Sequence, residues 1–170
     1  TPLYSSAASD VYKRQVVMLR IFNAYGPGQA VPPSHPPAIP HFIRQALSGS
    51  TPTIFGSGKQ TRDFIYITDV VEALTTAGLV DNVNGLVINV GTGQEVSIND
   101  LLKKIENHLG RRVLSLHNPG QSGGVSRLVA DTELAQKTLG FRAEVDIDEG
   151  LALLLKEQEK LAPSRLEDEP

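Results

Sequence analysis

Val16-Val17-Met18-Leu19-Arg20-Ile21-Phe22 is a nearly continuous apolar run, and no other stretch restricts the fold of this chain as much. A short, β-branched run without polar alternation reads as a strand buried on both faces of a parallel sheet. Such a strand needs neighbours, which must come from later strands or from sequence upstream. Parallel pairing in turn requires crossover connections, so the run points to an α/β architecture.

The rest of the chain supplies the alternation. Residues 23–38 form a long connection with Gly26, Gly28 and five prolines; connections of this length inside a domain are usually functional. Ile39, Phe42, Ile43, Ala46 and Leu47 recur at helical spacing and predict a helix over 38–49 that stops at Gly49. Short strands are expected at 53–55 and 62–67. Thr68 or Asp69 then caps a helix with Val70, Val71, Leu74 and Ala77 inward. A strand at 86–90 leads to Gly91-Thr92-Gly93, and Ser97-Ile98-Asn99-Asp100 resembles a capping box. The helix it opens carries Leu101, Leu102, Ile105 and Leu109 on one face and ends at Gly110. Strands follow at 113–116 and 127–130. Asp131 starts a helix closed by Gly140, and Asp146 and Glu149 begin the last helix, with Leu151, Leu154, Leu155 and Leu161 inward. Residues 162–170 read as a flexible acidic tail.

Composition narrows the function classes. A net charge of −3 lacks the basic face that nucleic acid requires, so no nucleic-acid partner is expected. No apolar run approaches the ~18 residues of a membrane span. The absence of cysteine excludes a disulfide scaffold and thiolate metal sites and suits a cytoplasmic protein. The four histidines are scattered, with no pair at the helical spacing of a zinc site, so no metal is expected.

The stretch 51–69, TPTIFGSGKQTRDFIYITD, carries the chemistry. Turn glycines (Gly56, Gly58) let a backbone approach a ligand closely, and the Arg62 guanidinium matches phosphate oxygens in a fork. With aromatic residues on either side, the stretch reads as half of a site for a phosphorylated, ring-containing ligand. Two tempting motifs fail. Gly56-Ser57-Gly58-Lys59 lacks the P-loop spacing, and Gly91-Thr92-Gly93 lacks the third glycine of a dinucleotide fingerprint, which leaves a tight turn near a binding face. On the residues alone, Arg20, Arg62 and Arg127 also suit ion pairs, and Asn23 suits a bond to loop backbone.

Three motifs together reach further. Arg20-Ile21-Phe22-Asn23-Ala24-Tyr25-Gly26-Pro27 resembles the R-x-F-N-x-Y-G-P of the NAD-dependent epimerase/dehydratase family, the extended short-chain dehydrogenases. Ile54-Phe55-Gly56, followed by Gln60-Thr61-Arg62-Asp63-Phe64-Ile65-Tyr66 and Asp69-Val70-Val71, is similar to the family's substrate-lobe signature. Asn89-Val90-Gly91-Thr92-Gly93 and Ala130-Asp131 match later landmarks, in order. The resemblance implies the C-terminal portion of a Rossmann-type NAD(P)-binding fold with its small substrate-binding lobe. It further implies NAD as cofactor and a nucleotide-diphosphate sugar as ligand. By the same resemblance Asn23 and Arg62 contact the diphosphate, Thr53 and Phe55 hold the base, and Ile21 and Phe22 pass near the nicotinamide. The activity implied is epimerisation through transient oxidation at sugar C4; the alternatives are a 4,6-dehydratase, a decarboxylase, or a non-catalytic sugar-nucleotide-binding module.

The chain also departs from the family. Where an R-x-G-D element is expected it has Gln121 and Gly124, so Arg127 is the candidate replacement for a second diphosphate arginine. The family's Tyr-x-x-x-Lys pair is missing: four residues beyond Tyr4, Tyr12, Tyr25 and Tyr66 stand Ala8, Val16, Gln29 and Val70. No catalytic residue is therefore assigned. Three regions are expected: 1–15, which does not resemble the family and is read as a foreign junction; 16–161, the sheet strands and substrate lobe; and 162–170, the tail. The whole is read as a fragment, inactive alone, of a parent expected to form homodimers largely through helices upstream of this segment.

Overall fold

The computed structural model describes residues 15–121 and 123–161, with side chains as far as 157; the expected leading segment, apart from Gln15, and the tail lie outside the described residues. Four small sheets form among the described residues. Strand β1 (Met18–Ile21) runs parallel to β6 (Val87–Val90), with Met18 opposite Val87. Strand β2 (Asn23–Tyr25) runs parallel to β5 (Phe64–Tyr66), with Asn23 opposite Phe64. Strand β3 (Thr53–Phe55) pairs in parallel with β8 (Leu116–Asn118). Strand β4 (Thr61–Arg62) lies between antiparallel β7 (Val96–Ser97) and parallel β9 (Arg127–Leu128).

The strand buried on both faces is β5, not β1. Its Phe64, Ile65 and Tyr66 are 6%, 0% and 5% exposed, and alternation sends them to two cores. Phe64 and Tyr66 join Tyr25, Ile43, Leu101, Ile105 and Leu154. Ile65 joins Val70, Ala73, Ile88, Val90, Ala135 and Phe141. By contrast Arg20 and Ile21 are exposed and Met18 and Leu19 half-buried, because β6 is the only strand beside β1 among the described residues.

The helices follow their sequence signals where these are local. Helix α1 (Ala38–Leu47) buries Ile39, Phe42, Ile43 and Ala46, while Leu47 stays exposed. Helix α3 (Ile98–Leu109) has the expected cap: Ser97 Oγ accepts the Asp100 N–H at 3.0 Å and donates to Asp100 Oδ2 at 2.6 Å. It ends on Gly110 at φ 63°, a left-handed residue. Helix α4 (Glu133–Leu139) has Asp131 Oδ1 accepting the Glu133 N–H. In helix α5 (Ile147–Leu161) the equivalent bond runs from the Glu149 N–H to Asp146 Oδ1. Leu151, Leu154 and Leu155 are buried as expected; the side chain of Leu161 lies outside those described.

Four expectations are corrected. The strand expected over 62–67 is broken at Asp63 into β4 and β5, and Ile67 already belongs to helix α2 (Ile67–Leu79). Neither Thr68 nor Asp69 caps that helix. Tyr66 is the cap residue, and Asp69 is buried in the first turn, where its Oδ2 accepts the Val145 N–H at 3.1 Å. Of the face expected for α2, Val70 and Ala77 are buried and Val71 and Leu74 are not. Val70, Ala73 and Ala77 are 4%, 0% and 5% exposed, against 55% for Val71 and 50% for Leu74. The helix carries two apolar stripes, and the one with alanines permits the closer approach to the sheet. Finally, the strand expected at 113–116 forms three residues later as β8. Val113 instead packs into the first core while its N–H donates to Glu106 Oε1 at 2.8 Å.

Two outcomes follow for stability. Val70→Ala lowers the unfolding free energy by about 2 kcal/mol and Val71→Ala changes it by less than about 0.5 kcal/mol, as read from urea titrations. The second concerns acid. The Lys104 ammonium, hydrogen-bonded to Asp148, and the Ser97 hydroxyl, bonded to Asp100, hold both carboxyls below their ordinary value. The folded chain thus releases these protons at lower pH than the unfolded chain does. The resulting stabilisation is present above the ordinary carboxylate value, about 3.9, and is lost as pH falls through the folded values. Urea midpoints measured down through that range decline, and Asp148→Asn makes the decline shallower.

Candidate functional site

A cleft of about 410 Å³ opens beside β2, β4 and α1, and Asn23, Tyr25, Gln29, Ile39, Gln60, Arg62, Phe64 and Gly123 are among the residues that line it. Parallel pairing of β2 with β5 sets Asn23 at its rim, and the Asn23 Nδ2 donates to the Asp63 carbonyl at 2.8 Å. Arg62 ends β4. Its Nη1 donates to the carbonyls of Thr61 at 2.8 Å and Val125 at 2.7 Å, and its Nη2 to Gly123 O at 3.0 Å. The segment 123–125 is thereby folded over the guanidinium. Burial pulls the Arg62 pKa below its ordinary value, and the side chain remains a cation at neutral pH.

Close packing shapes the wall nearest β3. Gln60 Nε2 donates to Phe55 O at 2.9 Å, and a side-chain carbon on Gly123 would come within 2.5 Å of that same Nε2. Only glycine lets the loop lie there. Gln29 closes the opposite side. Its Nε2 donates to Ala24 O at 3.0 Å, and its Oε1 is buried without a partner among the described residues. Tyr25 lies against Tyr66 edge to face, with ring centroids 5.4 Å apart, and burial pushes its phenol pKa up.

Beneath the cleft lies a carboxylate that sequence reading did not single out. Asp63 is fully buried. Its Oδ1 accepts from Thr92 N at 2.9 Å and Thr92 Oγ1 at 2.6 Å, and its Oδ2 from Gly93 N at 2.8 Å and Ala130 N at 3.1 Å. All four donors are neutral. Gly91-Thr92-Gly93 is therefore the cradle of an internal anion as well as the turn expected. A side-chain carbon on Gly91 would stand 2.6 Å from Asp63 Oδ2. The sequence held only a weak trace of it, an acidic residue within a run of strand residues and a glycine-flanked threonine after another strand.

The other expected site residues are not gathered around the cleft. Thr53 and Phe55 share one side of β3; Phe55 is 46% exposed and neither lines the cleft. Arg127 stands opposite Thr61 in the β4–β9 register, with its Nε bonded to Glu95 Oε1 at 2.5 Å. Ile21 is 40% exposed at the carboxyl end of β1, and the Phe22 N–H donates to Val90 O. The structure thus brings Asn23 and Arg62 to one cleft, which Thr53, Phe55, Arg127, Ile21 and Phe22 do not line.

Comparison with known proteins gives these residues a context. Residues 3–91 match the model of the NAD dependent epimerase/dehydratase family, a match that takes in most of the leading segment expected not to resemble it. A putative UDP-glucose 4-epimerase of Methanocaldococcus jannaschii is 34% identical over 148 residues, which cover 87% of this chain and 47% of that protein. The crystal structure of UDP-glucose 4-epimerase with UDP-glucose from Thermotoga maritima superposes with a TM-score of 0.84 at 30% identity, covering 94% of this chain and 50% of that one. UDP-glucuronic acid 4-epimerase from Bacillus cereus, in complex with UDP-glucuronic acid and NAD, gives a TM-score of 0.80 at 29% identity, covering 92% and 49%. The chain spans about half the length of these relatives. Its mixed α/β layout of short, mostly parallel sheets is that of Rossmann-like epimerases. By sequence and by fold alike, the chain belongs to the NAD dependent epimerase/dehydratase family.

Proposed function

We propose that this chain is the substrate-holding part of a nucleotide-sugar epimerase of the UDP-glucose 4-epimerase kind. The observation that carries the reading is the convergence of Asn23 and Arg62, distant in sequence, on one cleft. A guanidinium and an amide donor side by side suit a diphosphate, whose oxygens accept only. Gln29 also lines the cleft. In this reading Phe55 and Thr53 serve the base from β3, where the exposed ring offers a stacking face. Arg127 is the reserve cation, exchanging Glu95 for phosphate. The solved relatives with UDP-glucose and UDP-glucuronic acid support that ligand class.

NAD is the cofactor proposed. Ile21, apolar and exposed at the carboxyl end of a parallel strand, fits the flat face of a nicotinamide, at the end of the sheet where open α/β folds place their ligands. When bound, the dinucleotide supplies hydride transfer to and from the sugar. This chain's residues bind and orient the ligand. Its sequence carries no Tyr-x-x-x-Lys pair to move the sugar proton, so the 170 residues by themselves bind without turnover.

Calorimetry with UDP-glucose tests the reading. Arg62→Ala weakens binding at least about tenfold, the worth of one charge-assisted hydrogen bond. Arg62→Lys, which keeps the charge and loses the fork, falls in between. Binding indifferent to Arg62 rejects the diphosphate assignment, and epimerase turnover after addition of NAD rejects binding without catalysis.

A further inference from the structure

We propose that Asp63 is a positioning residue for the ligand diphosphate, acting through Arg62 and Asn23; the inference rests on the nucleotide-sugar reading above. Asp63 is absent from the cleft lining, and its carboxylate is directed at Thr92, Gly93 and Ala130. Its backbone meets the ligand residues. The Asp63 N–H donates to Leu128 O at 2.9 Å, and its carbonyl receives the Asn23 amide at 2.8 Å. Arg62 is its neighbour in the chain.

A carboxylate clasped by four donors from two other segments cannot shift without breaking charge-assisted bonds, the stronger kind. The peptide planes on both sides of Asp63 are fixed as a result. The plane before it sets where the Arg62 side chain departs, and the plane after it sets where the Asn23 amide is held. Charge is needed for this as well as size. An amide in the same place would turn an NH2 group toward N–H donors and leave at least one buried donor unpaired. The Gly91 position is consistent with the same demand, since any side chain there would collide with Oδ2.

The test compares UDP with uridine, so that the ratio of the two affinities isolates the diphosphate contribution. NMR titration of the 170-residue chain reads both probes into the millimolar range, with circular dichroism establishing that each variant is folded. Asp63→Asn lowers UDP affinity about tenfold and leaves uridine unchanged. Thr92→Val, which removes one hydroxyl donor from Oδ1 and alters no residue lining the cleft, lowers UDP affinity about threefold. Thr92→Ser restores the wild-type ratio. A purely structural role would move both probes together or neither. Should Asp63→Asn fail to fold, the Thr92 pair decides the question. An unchanged UDP-to-uridine ratio in Thr92→Val overturns the inference. A wild-type chain with no preference for UDP over uridine overturns the nucleotide-sugar reading itself, which is a different result.

Discussion

The architecture around the cleft depends on one buried anion. Asp63 joins the β4–β5 junction to the turn after β6 and to the segment after β9, through four hydrogen bonds to a single carboxylate. Isolated charge in a protein interior is costly unless it is fully hydrogen-bonded, and here neutral donors arranged by the turn meet that condition. Because three of those donors are backbone N–H groups just beyond strand ends, the carboxylate also satisfies groups that would otherwise be orphaned. The break it introduces into the expected strand has a structural result. Arg62 ends one sheet, Phe64 begins another, and the cleft lies where the two diverge.

Around that junction the two hydrophobic cores are joined by β5, whose alternate residues belong to each. Helices α1, α3 and α5 enclose one core, and α2, α4 and β6 enclose the other. The cleft sits at the edge of the first core, over Phe64, Ile39 and Ile98, so its floor is rigid and apolar while its rim carries the polar groups. This division is usual for small-molecule sites, where apolar surface supplies contact and a few polar groups supply orientation.

Much of this was legible in the residues, and what was not has identifiable causes. Helices α1 and α3 follow from period and caps, since Ile39, Phe42 and Ile43 or Ser97 and Asp100 act within a few residues of each other. Burial on both faces is different, because it depends on what packs from outside. The apolar run at β1 is longer than the one at β5, yet β5 is the enclosed strand. The inner face of α2 was misjudged for a related reason: Val71 and Leu74 are as apolar as Val70 and Ala73, and only close packing against a sheet distinguishes them. Asn23 and Arg62 were singled out through their motifs, and both line the cleft. Asp63 was not, because an acidic residue beside a strand ordinarily faces water, and its donors lie some thirty and sixty-seven residues further along the chain.

The pairing pattern of the strands has a consequence for how the chain reaches this state. β1 with β6, β2 with β5, β3 with β8 and β4 with β9 are all parallel, and each joins segments separated by a long intervening stretch. Even the antiparallel contact of Thr61 with Ser97 is remote in sequence. No hairpin among the described strands can form early and template the others. The entropy of closing large loops must be lost before any ladder rewards it, so the locally encoded helices assemble first and the sheets late. Until Asp63 finds its donors, the β4–β5 junction has little to hold it, which makes the cleft one of the last parts of the molecule to acquire its shape.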